Sequence, residues 1–249
     1  MGIKVYSNKS VIIDHSHQEL VDTSFEGNPT EGFLKGLHLR YVFRRKTTKH
    51  KDGDGNPLVY ALKEMNGYHM QPMYRDMLYK QAAKIMETFV EEMNADMLVD
   101  VPSSKPLCRD FARKVAEISG IELRPSDFLR KKTIAEILAD IDANFPSIKK
   151  EKEQTEFKNI LGNLRKANPD IKFAMKEISK NMRHFFQPFT FSSATPSFKD
   201  CKITLIDDLV SSGTSIISVA DCLKKHGALV DSGVCLLSEL NAKHPRDAG

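Results

Sequence analysis

Residues 203–215 read ITLIDDLVSSGTS: an apolar run, two adjacent aspartates, two more apolar residues, and a small hydroxyl-rich turn. This string constrains the chain more than any other, because it fits a buried strand that ends in a tight loop opening into a helix. The apolar run has strand length, and Gly213 among serines and threonines punctuates the loop. Beyond it, Ile216, Val219, Ala220 and Leu223 fall at the i, i+3, i+4, i+7 spacing of one helical face. Lys224, Lys225 and His226 fill the last turn, where the helix dipole favours cations, and Gly227 stands where a left-handed cap is expected. The apolar run at 234–237 reads as another buried strand. Strand, loop, helix, strand is a βαβ unit, which holds ligands at the carboxyl end of its first strand.

The groups gathered there suit a phosphorylated sugar. The carboxylates of Asp207 and Asp208 can accept hydrogen bonds from vicinal hydroxyls. The loop Ser211, Ser212, Gly213, Thr214, Ser215 aims amides and hydroxyls at one point, and a helix N-terminus adds unpaired N–H groups and a dipole that favours an anion. Gly213 removes a Cβ from the path of approach.

A second unit of the same kind lies upstream. Residues 95–101 are a short strand candidate ending in Pro102, Ser103, Ser104, Lys105, Pro106. Leu107, Phe111, Val115 and Ile118 then share a helical face, and Gly120 closes that helix.

Residue class by residue class, 203–214 resembles the phosphoribosyl-diphosphate (PRPP) signature of type I phosphoribosyltransferases. The resemblance implies an α/β fold: a doubly wound, mostly parallel sheet flanked by helices. It also implies that Asp207 and Asp208 hold the ribose 2′- and 3′-hydroxyls and that Ser211 to Ser215 bind the 5′-phosphate. Ser103, Ser104 and Lys105 would take the pyrophosphate, since two hydroxyls and a cation suit a multiply charged leaving group. Mg²⁺ is the implied cofactor, met by Asp207 and Asp208 mainly through PRPP itself. Lys105 is the leading cation for catalysis, with Arg183 and His184 next, from a segment placed to reach the diphosphate, and Arg130, Lys131 and Lys132 behind them. The order of NPLVYALKEMNGYH, VPSSK, FLRKK and NMRHFFQPF is similar to the ComF-like, competence-associated branch of the family. That branch often begins with a zinc-binding cysteine pair, which has no counterpart near the start of this chain, and a long insertion here separates FLRKK from NMRHF.

The resemblance divides the chain into a β-rich, hood-like N-terminal region at 1–70 and a phosphoribosyltransferase-like domain at 71–249. In the first, VYS, SVII, LHLRYVF and LVYAL are short apolar runs between turn signals, read as partly antiparallel strands. In the second, a long helix from Pro72 carries Leu78, Ala82, Ile85, Met86, Phe89, Val90 and Met93 at helical spacing. A helical insertion at about 131–181 shows three amphipathic stripes: Ile134, Ile137, Leu138, Ile141; Phe157, Ile160, Leu161, Leu164; and Ile171, Ala174, Met175, Ile178. It stands where the family has a loop that closes over PRPP, and as a lid, dimer contact or protein-docking surface it has the same pattern.

Composition narrows the class. With 249 residues, 41% hydrophobic and 28% charged, the chain can bury a core of its own. No apolar run approaches the roughly 20 residues of a membrane helix, and MGIKVYSNKS lacks a signal-peptide core, so no membrane partner and a cytoplasmic location are expected. Cys108, Cys201, Cys222 and Cys235 are widely spaced and read as reduced, buried thiols. The net charge of +4 is too small to imply nucleic-acid binding by itself. Arg40, Arg44, Arg45, Lys46, Lys49 and Lys51 do cluster, with Tyr41 and Phe43 between them, as in stretches that contact phosphates and stack on bases. An exposed hairpin with a basic face explains the same residues. The DGDGN run fails as a calcium loop because Pro57 and Lys63 stand where a glycine and a bidentate glutamate are needed. Asp14, His15 and His17 read as a turn.

These readings converge on a Mg²⁺-dependent transferase that uses PRPP and passes its phosphoribosyl group to an unidentified nitrogenous acceptor. A PRPP- or nucleotide-binding regulatory protein without turnover, or a component of a DNA-handling or defence system, are the alternatives.

Overall fold

The computed structural model describes residues 2–46, 56–179, 181–192, 197–210 and 213–240. In chain order it holds β1 (Gly2–Val5), β2 (Val11–Asp14), β3 (Val21–Asp22), β4 (Thr30–Leu34), β5 (Leu37–Arg45), α1 (Asn56–Leu62), α2 (Pro72–Met86), β6 (Met97–Asp100), α3 (Leu107–Ser119), β7 (Leu123–Arg124), β8 (Leu129–Lys131), α4 (Ile134–Ala143), α5 (Glu151–Lys166), β9 (Phe189–Phe191), β10 (Lys202–Leu209), α6 (Thr214–Lys225) and β11 (Leu229–Leu240).

Strands β5, β11, β10, β6 and β7 lie side by side in that order and run parallel. The outer edge of β5 carries β3 and β4, both antiparallel to it. Alternation along the strands feeds two cores, as the period of two requires. Leu98, Ile206, Val234 and Leu236 face α2 and α3 with Phe111, Ala112 and Val115. Val99, Leu205 and Cys235 face α6 with Ile216, Val219 and Leu223. Each large apolar side chain so buried contributes roughly 1.5–3 kcal/mol. Since α3 follows β6 and α6 follows β10, helices after neighbouring strands cover opposite faces. The winding therefore reverses between β6 and β10, and a crevice opens at their carboxyl ends.

Helices α3 and α6 end as their sequences predict. Gly120 (φ 71°) caps α3 in the left-handed region. Beyond α6, Gly227 (φ 85°) donates to the Lys224 carbonyl at 3.0 Å and Ala228 to that of Leu223 at 3.2 Å, a Schellman motif.

The insertion is a unit with its own core. The chain leaves and returns through the antiparallel pair β8 and β9, with Leu129 opposite Phe191 and Lys131 opposite Phe189. Outside that pair, Ile137, Ile141, Ile148, Phe157, Leu161, Phe173, Ile178, Met182 and Phe186 pack together. A capping box starts α4: Glu136 N–H donates to Thr133 Oγ1, and Thr133 N–H to Glu136 Oε2. Arg130 adds two bonds to Glu136, at 2.6 and 2.8 Å. Held by these donors, the Glu136 carboxyl falls to a pKa of about 2.

Several sequence expectations give way here. LVYAL is not a strand but the body of α1, because Leu58, Ala61 and Leu62 bury one helical face. The strand LHLRYVF, expected among the partly antiparallel strands of the N-terminal region, is β5, which also pairs in parallel with β11 of the central sheet. Helix α2 stops at Met86, and the apolar spacing continues through turns to a single 3₁₀ turn at Val90–Glu92. The third stripe of the insertion is no α-helix. Its backbone pairs with the segment before α4, where Ile134 N–H donates to the Ile171 carbonyl and Phe173 N–H to that of Lys132, and Ile171 is exposed.

The basic stretch also reads differently in three dimensions. Tyr41 and Phe43 are core residues, so they have no face left for a base. Arg45 is buried, donating to the Ser238 and Val210 carbonyls, Arg40 pairs with Glu31 and Glu92, and Lys46 with Asp22. Lys49 and Lys51 lie outside the described residues. Among the described residues, no helix is long and apolar enough to cross a membrane.

Candidate active site at the carboxyl ends of β6 and β10

Strand β10 delivers Asp207 and Asp208 at its carboxyl end. Ile206 stands opposite Asp100 of β6, and Asp207 opposite Cys235 of β11, so both acids emerge at the reversal of winding. They are buried, Asp207 at 9% exposure and Asp208 at 4%. Asp208 N–H donates to Asp207 Oδ1 at 2.8 Å. Burial pushes both carboxyls above the usual aspartate range, Asp207 the further because the Asp208 charge adds to the effect.

The opposing charge comes from an unexpected place. Lys63, in the turn after α1, donates to Asp208 Oδ1 at 2.9 Å and lies 2.7 Å from Oδ2. Its ammonium draws both acids back toward ionisation.

Two thiols border the acids. Cys108, in the first turn of α3, donates to the Ile206 carbonyl at 3.3 Å, and Cys235 lies beside Asp207 in the sheet. Burial and the neighbouring acids push both thiols well up, so they are protonated and unreactive at neutral pH. Cys201 and Cys222 are likewise free thiols.

The downstream loop enters α6 through Gly213, whose φ of 68° is left-handed. That backbone conformation favours glycine by itself, and a Cβ at Gly213 would also come within 1.9 Å of Leu34 Cδ2. The first bond of α6 runs from Ile217 N–H to the Gly213 carbonyl, so the N–H groups of Thr214, Ser215 and Ile216 precede the helical ladder. Thr214 is buried. Ser211 and Ser212 lie outside the described residues.

The upstream loop leaves β6 beside these acids. Val101 N–H continues the ladder to the Ile206 carbonyl at 2.8 Å, after which Ser103, Ser104 and Lys105 are exposed. They line a cavity of about 480 Å³ with Asp100, Arg109, Arg113, Ser126 and Asp127. Asp100 is buried and holds this wall together, accepting from Ser126 N–H at 2.8 Å and from Arg109 Nε at 3.2 Å. Arg109 also donates to Asp127 at 2.8 Å.

The candidate residues thus fall into two groups. Asp207, Asp208, Gly213, Thr214 and Ser215 share the end of β10, and Ser103, Ser104 and Lys105 share the end of β6. Arg183 lies elsewhere, inside the insertion, where its Nε donates to the Ile178 carbonyl at 2.9 Å. His184 lines a different cavity, between α6 and the β4–β5 turn. Arg130 and Lys132 are tied to Glu136 and Asp140 at the base of α4.

No protein-family model and no curated protein sequence matches the chain. Among solved structures, the chain is similar to the adenine phosphoribosyltransferase of Leishmania tarentolae, over 95% of this chain and 94% of that one, at 14% identity and a TM-score of 0.35. A likeness this loose leaves the site's chemistry to be judged from its own residues.

Three functional candidates escape a reading of the sequence alone. Lys63 lies in the NPLVYALKEMNGYH stretch, but that stretch gives no sign of its partner, which is 145 residues away. Arg109 looks like one more polar position on the exposed face of α3. Asp100 closes an apolar run in the same way that Asp207 does, and that parallel was the one signal that would have singled it out.

Proposed function

We propose that this chain binds PRPP with Mg²⁺ at the crevice between β6 and β10 and transfers the phosphoribosyl group to a nitrogenous acceptor. The observation that carries the reading is the juxtaposition of two strand–loop–helix units on adjacent parallel strands. One ends in a diacid and a helix N-terminus, the other in a loop of two serines and a lysine above an arginine-lined cavity.

Asp207 and Asp208 accept hydrogen bonds from the ribose 2′- and 3′-hydroxyls, and their burial makes those bonds strong. The amides and hydroxyls at 211–215 take the 5′-phosphate. Ser103, Ser104 and Lys105 face the pyrophosphate, with Arg109 fixing the cavity wall. In a transition state of oxocarbenium character, this loop neutralises the charge gathering on the departing group.

The acids fit Mg²⁺ as partial ligands only. Among the described residues, no group of three or more His, Cys, Asp or Glu side chains could hold a metal ion, and Mg²⁺ is commonly held by one or two carboxylates together with substrate phosphates. Bound this way, the ion would supply charge neutralisation on the diphosphate. Incubation with PRPP, Mg²⁺ and a panel of bases tests the reading: pyrophosphate release with one base identifies the acceptor.

A second reading, a PRPP-binding regulatory protein without turnover, is favoured by one observation. Arg183, one of the cations expected to reach the diphosphate, is bonded within the insertion. Binding without pyrophosphate release under any acceptor would support that reading.

A further inference from the structure

We infer that Lys63 is a positioning residue of this site: its ammonium holds the Asp208 carboxylate in place and balances the diacid so that an anionic phosphosugar can enter. The inference rests on the PRPP reading above and adds the N-terminal region to the site as a source of charge.

The geometry is specific. Lys63 Nζ lies 2.9 Å from Oδ1 and 2.7 Å from Oδ2 of Asp208, and the lysine and aspartate side chains are 16% and 5% exposed. Little of the pair is in water, so its attraction is only weakly screened by salt. The lysine is also fixed from behind. Helix α1 buries Leu58, Ala61 and Leu62, Lys63 N–H donates to the Val59 carbonyl at 2.9 Å, and Met65 N–H closes the turn on the Tyr60 carbonyl at 2.8 Å. Glu64 completes that turn in the left-handed region, at φ 51°. A cation so anchored is part of the site's architecture rather than a surface charge that happened to swing in.

The need for it follows from the ligand. Two adjacent buried carboxylates repel an incoming phosphorylated, pyrophosphorylated sugar. Among the described residues, Lys63 is the cation paired with the diacid. Each carboxylate oxygen has two acceptor directions, so one ammonium contact per oxygen leaves Asp208 able to accept from a sugar hydroxyl. Lys63 therefore supports the ligand instead of competing with it.

The test is calorimetric titration of PRPP with Mg²⁺ into wild type, K63M, K63R, D208N, the K63M·D208N double variant and D207N·D208N. K63M is expected to weaken PRPP binding tenfold or more, K63R to restore most of it, and K63M to have almost no further effect in the D208N background. A general structural role would give neither the arginine rescue nor that non-additivity. K63Q carries the same comparison if K63M does not fold. Wild-type affinity in K63M, alongside lost binding in D207N·D208N, would overturn this inference and leave the PRPP reading standing. Absence of PRPP binding by the wild type would overturn both.

Discussion

Lys63 and Asp208, 145 residues apart in the chain, meet with the lysine Nζ within 3 Å of both carboxylate oxygens. This pair joins the N-terminal region to the end of β10, so the region is fastened to the site by charge as well as by the pairing of β5 with β11.

Removing one buried acid should stabilise the ligand-free protein. The folded state raises the Asp207 pKa above its unfolded value of about 3.9. Between those two values the unfolded chain has released the proton and the folded chain still holds it, so stability falls as pH rises through that window. D207N abolishes this loss, and its amide oxygen can still accept from Asp208 N–H. Thermal melts should give the variant the higher Tm at pH 7, with the difference narrowing toward pH 4.

Gly213 is constrained both by its own backbone and by a neighbour. G213A forces a side chain into the left-handed region and against Leu34, at a combined cost of about 2–4 kcal/mol. L34A should recover the steric part and leave the backbone part, so denaturant unfolding of the two single variants and the double variant separates them.

The insertion should open as a unit. F157A removes a fully buried ring from its core and should cost about 3–5 kcal/mol there. In hydrogen-exchange mass spectrometry, amides of α4 and α5 should lose protection together while those of β10 and β11 keep theirs. Equal loss in the sheet would mean that the insertion and sheet unfold as one.

Glu136 gives the base of the insertion a pH signature. Its pKa of about 2 lies below the unfolded value of about 4.3, so its contribution is complete above the unfolded value and is lost as pH falls toward 2. The side chain is 37% exposed, and solvent screening holds the effect to less than about 1 kcal/mol. E136Q should loosen the first turn of α4 at pH 7, and exchange of the amides at 134–137 should show it.

Legibility followed sequence distance. The strand–helix–strand order from β10 to β11 could be read because strand, helical face and cap are all written within one short stretch, although β11 (Leu229–Leu240) is longer than the apolar run that announced it. The loop after β6 could be read for the same reason. Helix α1 could not, since a short apolar run has no decisive period. Nor could the place of β5, because its parallel pairing with β11 joins segments far apart in the chain. Tyr41 and Phe43 suggested a base-stacking surface because their place in the core, set by pairing with distant strands, is not written in the residues around them. The Ile171–Ile178 stripe had helical spacing, yet hydrogen bonds to residues 132–134 satisfied its backbone first. The role of Lys63 was out of reach, since nothing around it in the chain signals a carboxylate brought by another strand.

Calorimetric titration of PRPP with Mg²⁺ into wild type and D207N·D208N tests the diacid most directly. Two hydrogen bonds to charged groups, at about 1.5–3 kcal/mol each, set the expected result: binding by the wild type and a loss of roughly 100-fold or more in the double variant, whose melt stays near or above that of wild type. Equal affinity in the two proteins would contradict the assignment of Asp207 and Asp208 to the ribose.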